Sequence, residues 1–195
     1  KYFQKNILKF QSENSSPYII DCGANIGLSS IYFKQLFPKS RLLVFEVNTV
    51  VCDMLKKNIN TLAYNDIQIE NKLVWKEEKN IYFAHGSIVS DEGYIRTKEN
   101  YNLFSIIPSV RLKNFLYEKV DFLKLNIGGA EVKVLEDCAE FLGNVQNIFI
   151  EYHPKRIEGN QFDYIISLLR KAEYEISYNK EDSNENFNIF AKRKQ

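Results

Sequence analysis

Apolar residues recur along this chain in two alternating periods, short strand-like runs and longer stretches with helical spacing. Residues 1–10 place Phe3, Ile7 and Phe10 at the spacing of a short helix, and a polar linker, Gln11–Ser16, follows. Tyr18–Asp21 reads as a first strand. Leu28, Ile31, Tyr32 and Leu36 then mark a helix that must end before Pro38. Arg41–Glu46 is a second strand, and Val51, Met54, Leu55, Ile59 and Leu62 line one face of a second helix. Ile67–Trp75 reads as a third strand. The rhythm resumes at Val120–Ile127, followed by a helix (Val132, Leu135, Ala139, Leu142) with Gly143 as its C-cap. A strand over Ile148–Tyr152 and a helix carrying Phe162, Ile165, Leu168, Leu169 and Ala172 come next. Tyr174–Tyr178 and Phe187–Phe190 suit a terminal hairpin around the polar loop Asn179–Asn186. Strand and helix in alternation predict an α/β fold with a mostly parallel sheet and helices on both faces.

Residues 76–119 break the alternation. They hold hairpin-like Ile81–Phe83, a loop punctuated by Gly86 and Gly93, and Pro108 inside a strand-like run. This segment is expected to be an insertion near the mouth of a site, with the character of a lid.

Composition narrows the classes. With 195 residues, 45% of them hydrophobic, the chain can bury one core and form one domain. A formal charge of +1 gives no global electrostatic case for nucleic acid. No apolar run approaches the roughly 18 residues of a membrane span, and no signal-like segment opens the chain. Cys22, Cys52 and Cys138 are odd in number and widely spaced, which suits buried thiols in a reducing, cytoplasmic setting. The chain begins at Lys1 rather than Met, as a domain excised from a longer protein would.

The stretch Asp-Cys-Gly-Ala-Asn-Ile-Gly at 21–27 sits where the first strand gives way to a helix. In parallel α/β sheets, ligands bind at such turns. Gly23 and Gly27 remove side chains where a ligand must touch backbone, and the helix start offers free N–H groups. Glu46 ends the second strand 25 positions after Asp21, where a carboxylate can accept both hydroxyls of a ribose. A dinucleotide wants G-x-G-x-x-G around its pyrophosphate; this turn is G-x-x-x-G with Asn25 at its centre and the acid Asp21 before it. An acid there suits a cationic amino-acid end, so the cofactor these residues point to is S-adenosylmethionine. A nicotinamide-dependent oxidoreductase is the disfavoured alternative.

The segments IIDCGANIGLSSIYFKQLFP, LLVFEVN, VDFLKLNIGGAEVKVLEDC and IFIEYH, in that order, resemble the FkbM family of S-adenosylmethionine-dependent methyltransferases. The resemblance runs from about Tyr18 to His153. It implies a class I methyltransferase (Rossmann-like) fold over residues 1–195, a seven-stranded sheet with its last strand antiparallel. It also implies O-methylation of a sugar, glycan or related hydroxylated acceptor. Asp21, Gly23, Asn25 and Gly27 match the cofactor turn, and Glu46 matches the ribose acid. The residue after that acid, usually proline in the family, is Val47. The fourth-strand motif of the family reads Lys-Ile-Asp-Val-Glu-Gly-Ala-Glu, whereas this chain has Lys124-Leu125-Asn126-Ile127-Gly128-Gly129-Ala130-Glu131. Two acids are thus Asn126 and Gly128, and Glu131 is kept. A hard divalent cation needs several oxygen ligands, so metal-independent chemistry is expected, with Asn126 hydrogen-bonding cofactor or acceptor. A cofactor-binding protein with a degenerate site is the reading to weigh against turnover.

Transfer of a methyl group to a hydroxyl requires positioning and a base. His153, at the carboxyl end of the Ile148–Tyr152 strand, is the first candidate base. Glu151, two residues earlier, is placed to orient it or to act instead. His85 reads as an exposed loop residue. Trp75, Tyr94 and Tyr101 suit core packing better than a sugar-stacking role. No Asn-Pro-Pro-aromatic motif of amine methylation of nucleic acid is present.

Overall fold

The computed structural model describes residues 7–84, 104–154, 161–180 and 186–194. Its first half runs β1 (Tyr18–Cys22), α1 (Leu28–Leu36), β2 (Arg41–Phe45), α2 (Thr49–Thr61), β3 (Ile67–Glu70) and β4 (Leu73–Trp75). Then come β5 (Asn80–Ala84), β6 (Phe104–Arg111), β7 (Phe122–Leu125) and α3 (Glu131–Cys138). The chain closes with β8 (Asn147–Tyr152), α4 (Phe162–Lys171), β9 (Tyr174–Lys180) and β10 (Phe187–Arg193).

Seven strands form the main sheet in the order β3-β2-β1-β7-β8-β10-β9. The pairs from β3 through β8 are parallel, and β10 runs antiparallel to both β8 and β9. This is the arrangement that the family resemblance implies, with the last strand reversed. The central strands are buried on both faces, which is why β2, β7 and β8 read as almost unbroken apolar runs.

The period-2 alternation of strand side chains divides the core into two layers. Ile19, Leu42, Val44, Phe122 and Phe149 meet Tyr32 and Phe33 of α1 and Leu55 and Ile59 of α2. Ile20, Leu43, Leu123, Ile148 and Ile150 face the other way, onto Val132 and Leu135 of α3 and Ile165 and Leu169 of α4. Phe10 and Phe33 close over Phe122 with ring centroids 4.6 and 5.1 Å away, tying the segment before β1 into the first layer. No helix among the described residues is long and apolar enough to cross a membrane.

The structure corrects several details of the sequence reading. Of the expected first helix only residues 7–10 are described; Ile7 and Leu8 form a turn, and Leu8 and Phe10 are buried as anchors. Ile67–Trp75 is two strands, because β4 leaves the main sheet and pairs with β6 in a second sheet of order β4-β6-β5. Gly143 is no C-cap: α3 continues into a 3₁₀ helix, Ala139–Asn144, that contains it. On α1 the apolar Leu28 is exposed while Ser29, Ser30 and Lys34 are buried, and on α2 Met54 and Leu62 face outward. The 76–119 segment contributes β5, β6 and a 3₁₀ turn (Leu112–Phe115), with the pairing expected near Ile81–Phe83 formed between β5 and β6. Residues 85–103 of this segment, with His85, Tyr94 and Tyr101, lie outside the described residues, and the lid reading of 76–119 stays an expectation. Trp75 is half-buried against both cores, in keeping with a packing role. Cys22, Cys52 and Cys138 are buried free thiols. Burial above all pushes Cys138 up to about 12, so this thiol stays protonated at neutral pH.

Candidate active site

The sheet changes direction of growth between β1 and β7, and ligands in such sheets sit outside the carboxyl ends of the strands at that switch. At the end of β1 the N–H groups of Gly23 and Ala24 both donate to the Phe45 carbonyl, at 2.9 and 3.1 Å, so the turn is sewn to the end of β2. Gly23, Asn25 and Gly27 have φ of 77°, 53° and 95°. Left-handed backbone favours glycine and tolerates asparagine, which accounts for the spacing of the motif. Space adds a second requirement. A Cβ on Gly23 would sit 1.8 Å from the Asn126 carbonyl oxygen, and one on Gly27 would sit 2.5 Å from Leu55 Cδ1. The glycines therefore serve protein packing as well as any ligand.

Glu46 follows β2 and is 8% exposed. One carboxylate oxygen accepts the Asn25 N–H at 2.9 Å and the other accepts the Asn48 N–H at 2.8 Å. Asn48 in turn caps α2, its side chain accepting from the N–H groups of Val50 and Val51. Asn71, which the sequence reading passed over, donates to the carbonyls of Glu46 and Val47. Glu46 thus couples the glycine turn to the start of α2. Val47 is half-buried and packs with the small cluster of Leu73, Ile81 and Ile107, which places its side chain in the second sheet's core.

Asp21 departs from its expected place. It is 0% exposed, and it pairs with Lys124 Nζ at 2.9 Å while accepting from the hydroxyls of Ser29 (2.6 Å) and Ser30 (2.8 Å). The strand register sets Asp21 directly opposite Lys124. The same ammonium donates to the Gly23 carbonyl at 2.9 Å. The carboxylate that was to meet a cationic ligand meets a buried lysine, and its task is to hold the turn. Beside it, burial foremost and the Asp21 charge next push the Cys22 thiol well up. Lys124, Ser29 and Ser30 were missed in the sequence reading. Two serines on the apolar face of α1, with a lysine inside an apolar strand, were the available signal.

A second group of polar side chains gathers at the ends of β7 and β8. The Asn126 amide donates to Glu151 Oε2 at 3.0 Å. The Asn186 amide lies 3.4 Å from Glu151 Oε1. His153, 5% exposed, has Nε2 3.8 Å from Glu151 Oε1 and Nδ1 3.2 Å from Glu131 Oε1. Glu131 is 0% exposed and receives the N–H groups of Ile127 (3.0 Å) and Gly129 (2.9 Å). Gly128 and Gly129 have φ of 65° and 106°, a conformation that turns the Ile127 and Gly129 N–H groups onto the Glu131 carboxylate. The structure therefore brings together His153, Glu151 and Asn126, and adds Glu131 and Asn186. The two groups meet where the Asn126 carbonyl abuts Gly23 and the Asn126 N–H donates to Cys22.

The model of the methyltransferase FkbM domain matches residues 21–176, from the ion-paired aspartate to the first residues of β9. The chain belongs to the FkbM methyltransferase family. This sets aside the oxidoreductase alternative. Among curated relatives, methyltransferase sdnD of Sordaria araneosa is 28% identical, over 70% of this chain and 66% of that protein. Ribosomal RNA small subunit methyltransferase G of Malacoplasma penetrans is also 28% identical, over 84% of this chain and 64% of that one. The FkbM chain thus spans just under two thirds of the length of these relatives. A crystal structure of methyltransferase FkbM from Methylobacillus flagellatus KT superposes with a TM-score of 0.69 at 14% identity, covering 97% of this chain and 46% of that one. M. capricolum TrmK superposes with a TM-score of 0.56 at 14% identity, over 100% of this chain and 69% of that one. These likenesses establish a class I methyltransferase fold. The fold family uses S-adenosylmethionine, and the TrmK structure holds its product, S-adenosylhomocysteine.

The buried ion pair gives a direct test. Replacing Lys124 by Met leaves the Asp21 carboxylate without its cation, which is expected to cost about 3–5 kcal/mol of folding stability. Urea denaturation reads it. Adding Asp21→Asn to Lys124→Met removes the orphaned charge and should recover part of the loss. A loss below about 1 kcal/mol for Lys124→Met would contradict a structural role for the pair.

Proposed function

We propose that this FkbM domain is an S-adenosylmethionine-dependent O-methyltransferase acting on a hydroxyl of a sugar or related small acceptor. The observation that carries the proposal is the meeting of two groups at Gly23 and Asn126. On one side stands a left-handed glycine turn bound to the strand-end acid Glu46. On the other stands a histidine between two carboxylates. The residues of the first group fit the cofactor: a left-handed turn that is partly accessible at Gly23, Asn25 and Ile26, the start of α1, and an acid at the end of β2 for the ribose hydroxyls. When bound, S-adenosylmethionine supplies an electrophilic methyl group on a sulfonium centre. Asn126 supports Glu151 by its amide, and His153 takes the acceptor proton. Methyl transfer is a displacement in which orientation contributes much of the rate.

A neutral polyol fits the second group better than an anionic chain does. Its described side chains are amides, carboxylates and one imidazole, and the formal charge of the whole chain is only +1. Relatives named for ribosomal RNA make RNA the competing acceptor, to be run in the same assay. The three buried thiols suit a reducing compartment, in line with a cytoplasmic site of action.

Calorimetric titration should give binding of S-adenosylmethionine in the micromolar range, and a thermal shift should accompany it. Silence in both at millimolar cofactor would sink the assignment. Glu46→Ala should weaken binding by about 1–3 kcal/mol, since it removes an acceptor for paired hydroxyls. Melting of the cofactor-free variant separates that loss from loosening of the turn.

His153→Ala should leave cofactor affinity nearly unchanged and lower turnover by about 10²–10⁴-fold, the usual contribution of a positioned base. A folded variant with near-wild-type turnover would exclude the base role and pass it to Glu151.

Turnover should also survive chelator and ignore added magnesium or manganese, because the family's acids at 126 and 128 are an amide and a glycine in this chain. Activity lost to chelator and restored by a divalent ion would refute that. Cofactor binding with no turnover across sugar, small-molecule and RNA panels would instead favour the degenerate-site reading.

A further inference from the structure

A second buried carboxylate, Glu131, stands beside His153 on the side away from Glu151. Glu131 Oε1 lies 3.2 Å from His153 Nδ1, and both oxygens already accept backbone N–H groups, from Ile127 and Gly129. The carboxylate is 0% exposed, so its charge is held by these donors rather than by water. An ionised carboxylate only accepts hydrogen bonds, and a neutral imidazole donates from one ring nitrogen and accepts at the other. At this distance the contact is a hydrogen bond only if the proton sits on Nδ1.

The other ring nitrogen is placed differently. Nε2 is 3.8 Å from Glu151 Oε1, too far for a direct hydrogen bond. An oxygen about 2.8 Å from both atoms would complete a triangle with them, which is the hydrogen-bond reach a hydroxyl needs. Glu151 is held through its other oxygen, Oε2, by the Asn126 amide at 3.0 Å, and the Asn186 amide lies 3.4 Å from Oε1. One carboxylate contacts Nδ1 at 3.2 Å, and the other stands 3.8 Å from Nε2.

We propose that Glu131 is a positioning residue: it holds His153 with its proton on Nδ1 and so keeps Nε2 as the proton acceptor. This rests on the reading of His153 as the base. In the step, the acceptor O–H proton passes to Nε2 while the oxygen forms its bond to the methyl carbon. The S–CH₃ bond breaks with its electron pair going to sulfur, which becomes a neutral thioether. The resulting imidazolium lies between Glu131 and Glu151.

The test uses ¹⁵N-histidine-labelled protein, since the chain has only two histidines and the His153→Ala spectrum identifies the His153 signals. In the wild-type protein at the pH of assay, Nδ1 should show the shift of a protonated nitrogen and Nε2 that of an unprotonated one. The reverse tautomer, or protons on both nitrogens, would overturn the proposal without any variant being made. Glu131→Gln can offer an amide donor to Nδ1 and should move population to the Nε2-protonated form. It should also lower kcat by about 10–100-fold with cofactor affinity unchanged, the size of effect that losing a histidine's orienting carboxylate has at metal sites. Glu131→Asp, which keeps the charge, should retain the wild-type tautomer and more of the rate. A Glu131→Gln protein that melts earlier but keeps the wild-type tautomer and the wild-type kcat per folded molecule would make Glu131 merely structural, overturning the proposal. Near-wild-type turnover in His153→Ala, together with the expected tautomers, would instead end the base reading while leaving the orienting contact intact.

Discussion

The ion pair between Asp21 and Lys124 is the contact on which the rest of the edge depends. Both side chains are essentially inaccessible, at 0% and 1% exposure, and they face one another across adjacent parallel strands. Two charges in such a place are tolerated only when their remaining hydrogen-bonding capacity is also met. Ser29 and Ser30 do this for the acid, and the Gly23 carbonyl does it for the ammonium. The network therefore joins the end of β1, the first turn of α1 and the middle of β7. Those are the three pieces whose relative placement defines the glycine turn.

From that anchor the turn is fixed at three further points. Its N–H groups reach the Phe45 carbonyl, its asparagine N–H reaches Glu46, and its first glycine touches the Asn126 carbonyl. The backbone bonds are neutral, whereas the Glu46 contacts carry a full charge and are the stronger kind. A rigid turn with left-handed residues presents the same N–H groups each time, which favours a ligand that must be held in one orientation. The polar cluster at β7 and β8 begins at Asn126 itself, whose carbonyl abuts Gly23 while its amide reaches Glu151. The turn and the polar cluster thus meet directly, backbone to backbone.

Much of this was legible in the sequence, and the failures are instructive. The parallel sheet was visible because strands covered on both faces are forced to be apolar throughout, as in Leu42–Phe45 and Ile148–Ile150. The glycine turn was visible because left-handed backbone restricts residue choice at Gly23, Asn25 and Gly27. The role of Asp21 was misjudged, since an acid next to such a turn looks the same whether it faces a ligand or a lysine 103 positions away. Only strand register decides that, and register is a tertiary property. The exposed face of α1 was misread for the same reason: burying Ser29 and Ser30 is favourable only once Asp21 is known to be their partner. Gly143 looked like a cap because glycine commonly ends helices, yet α3 tightens into 3₁₀ geometry and runs past it.

The two departures from the family's fourth-strand motif can now be weighed on physical grounds. With an acid at 126, a second negative charge would stand at the 3.0 Å contact that the Asn126 amide now makes to Glu151. Like charges that close disfavour joint ionisation, so one of them would hold a proton. The amide removes that conflict and donates a hydrogen bond to Glu151 instead. Gly128 follows a similar logic. It stands at φ 65°, next to Gly129 at 106°, in a backbone that side-chain-bearing residues enter at a cost of about 1–2 kcal/mol. That backbone turns the Ile127 and Gly129 N–H groups onto Glu131. The loss of two acids is thus matched by a neutral donor to one carboxylate and a backbone cradle for the other.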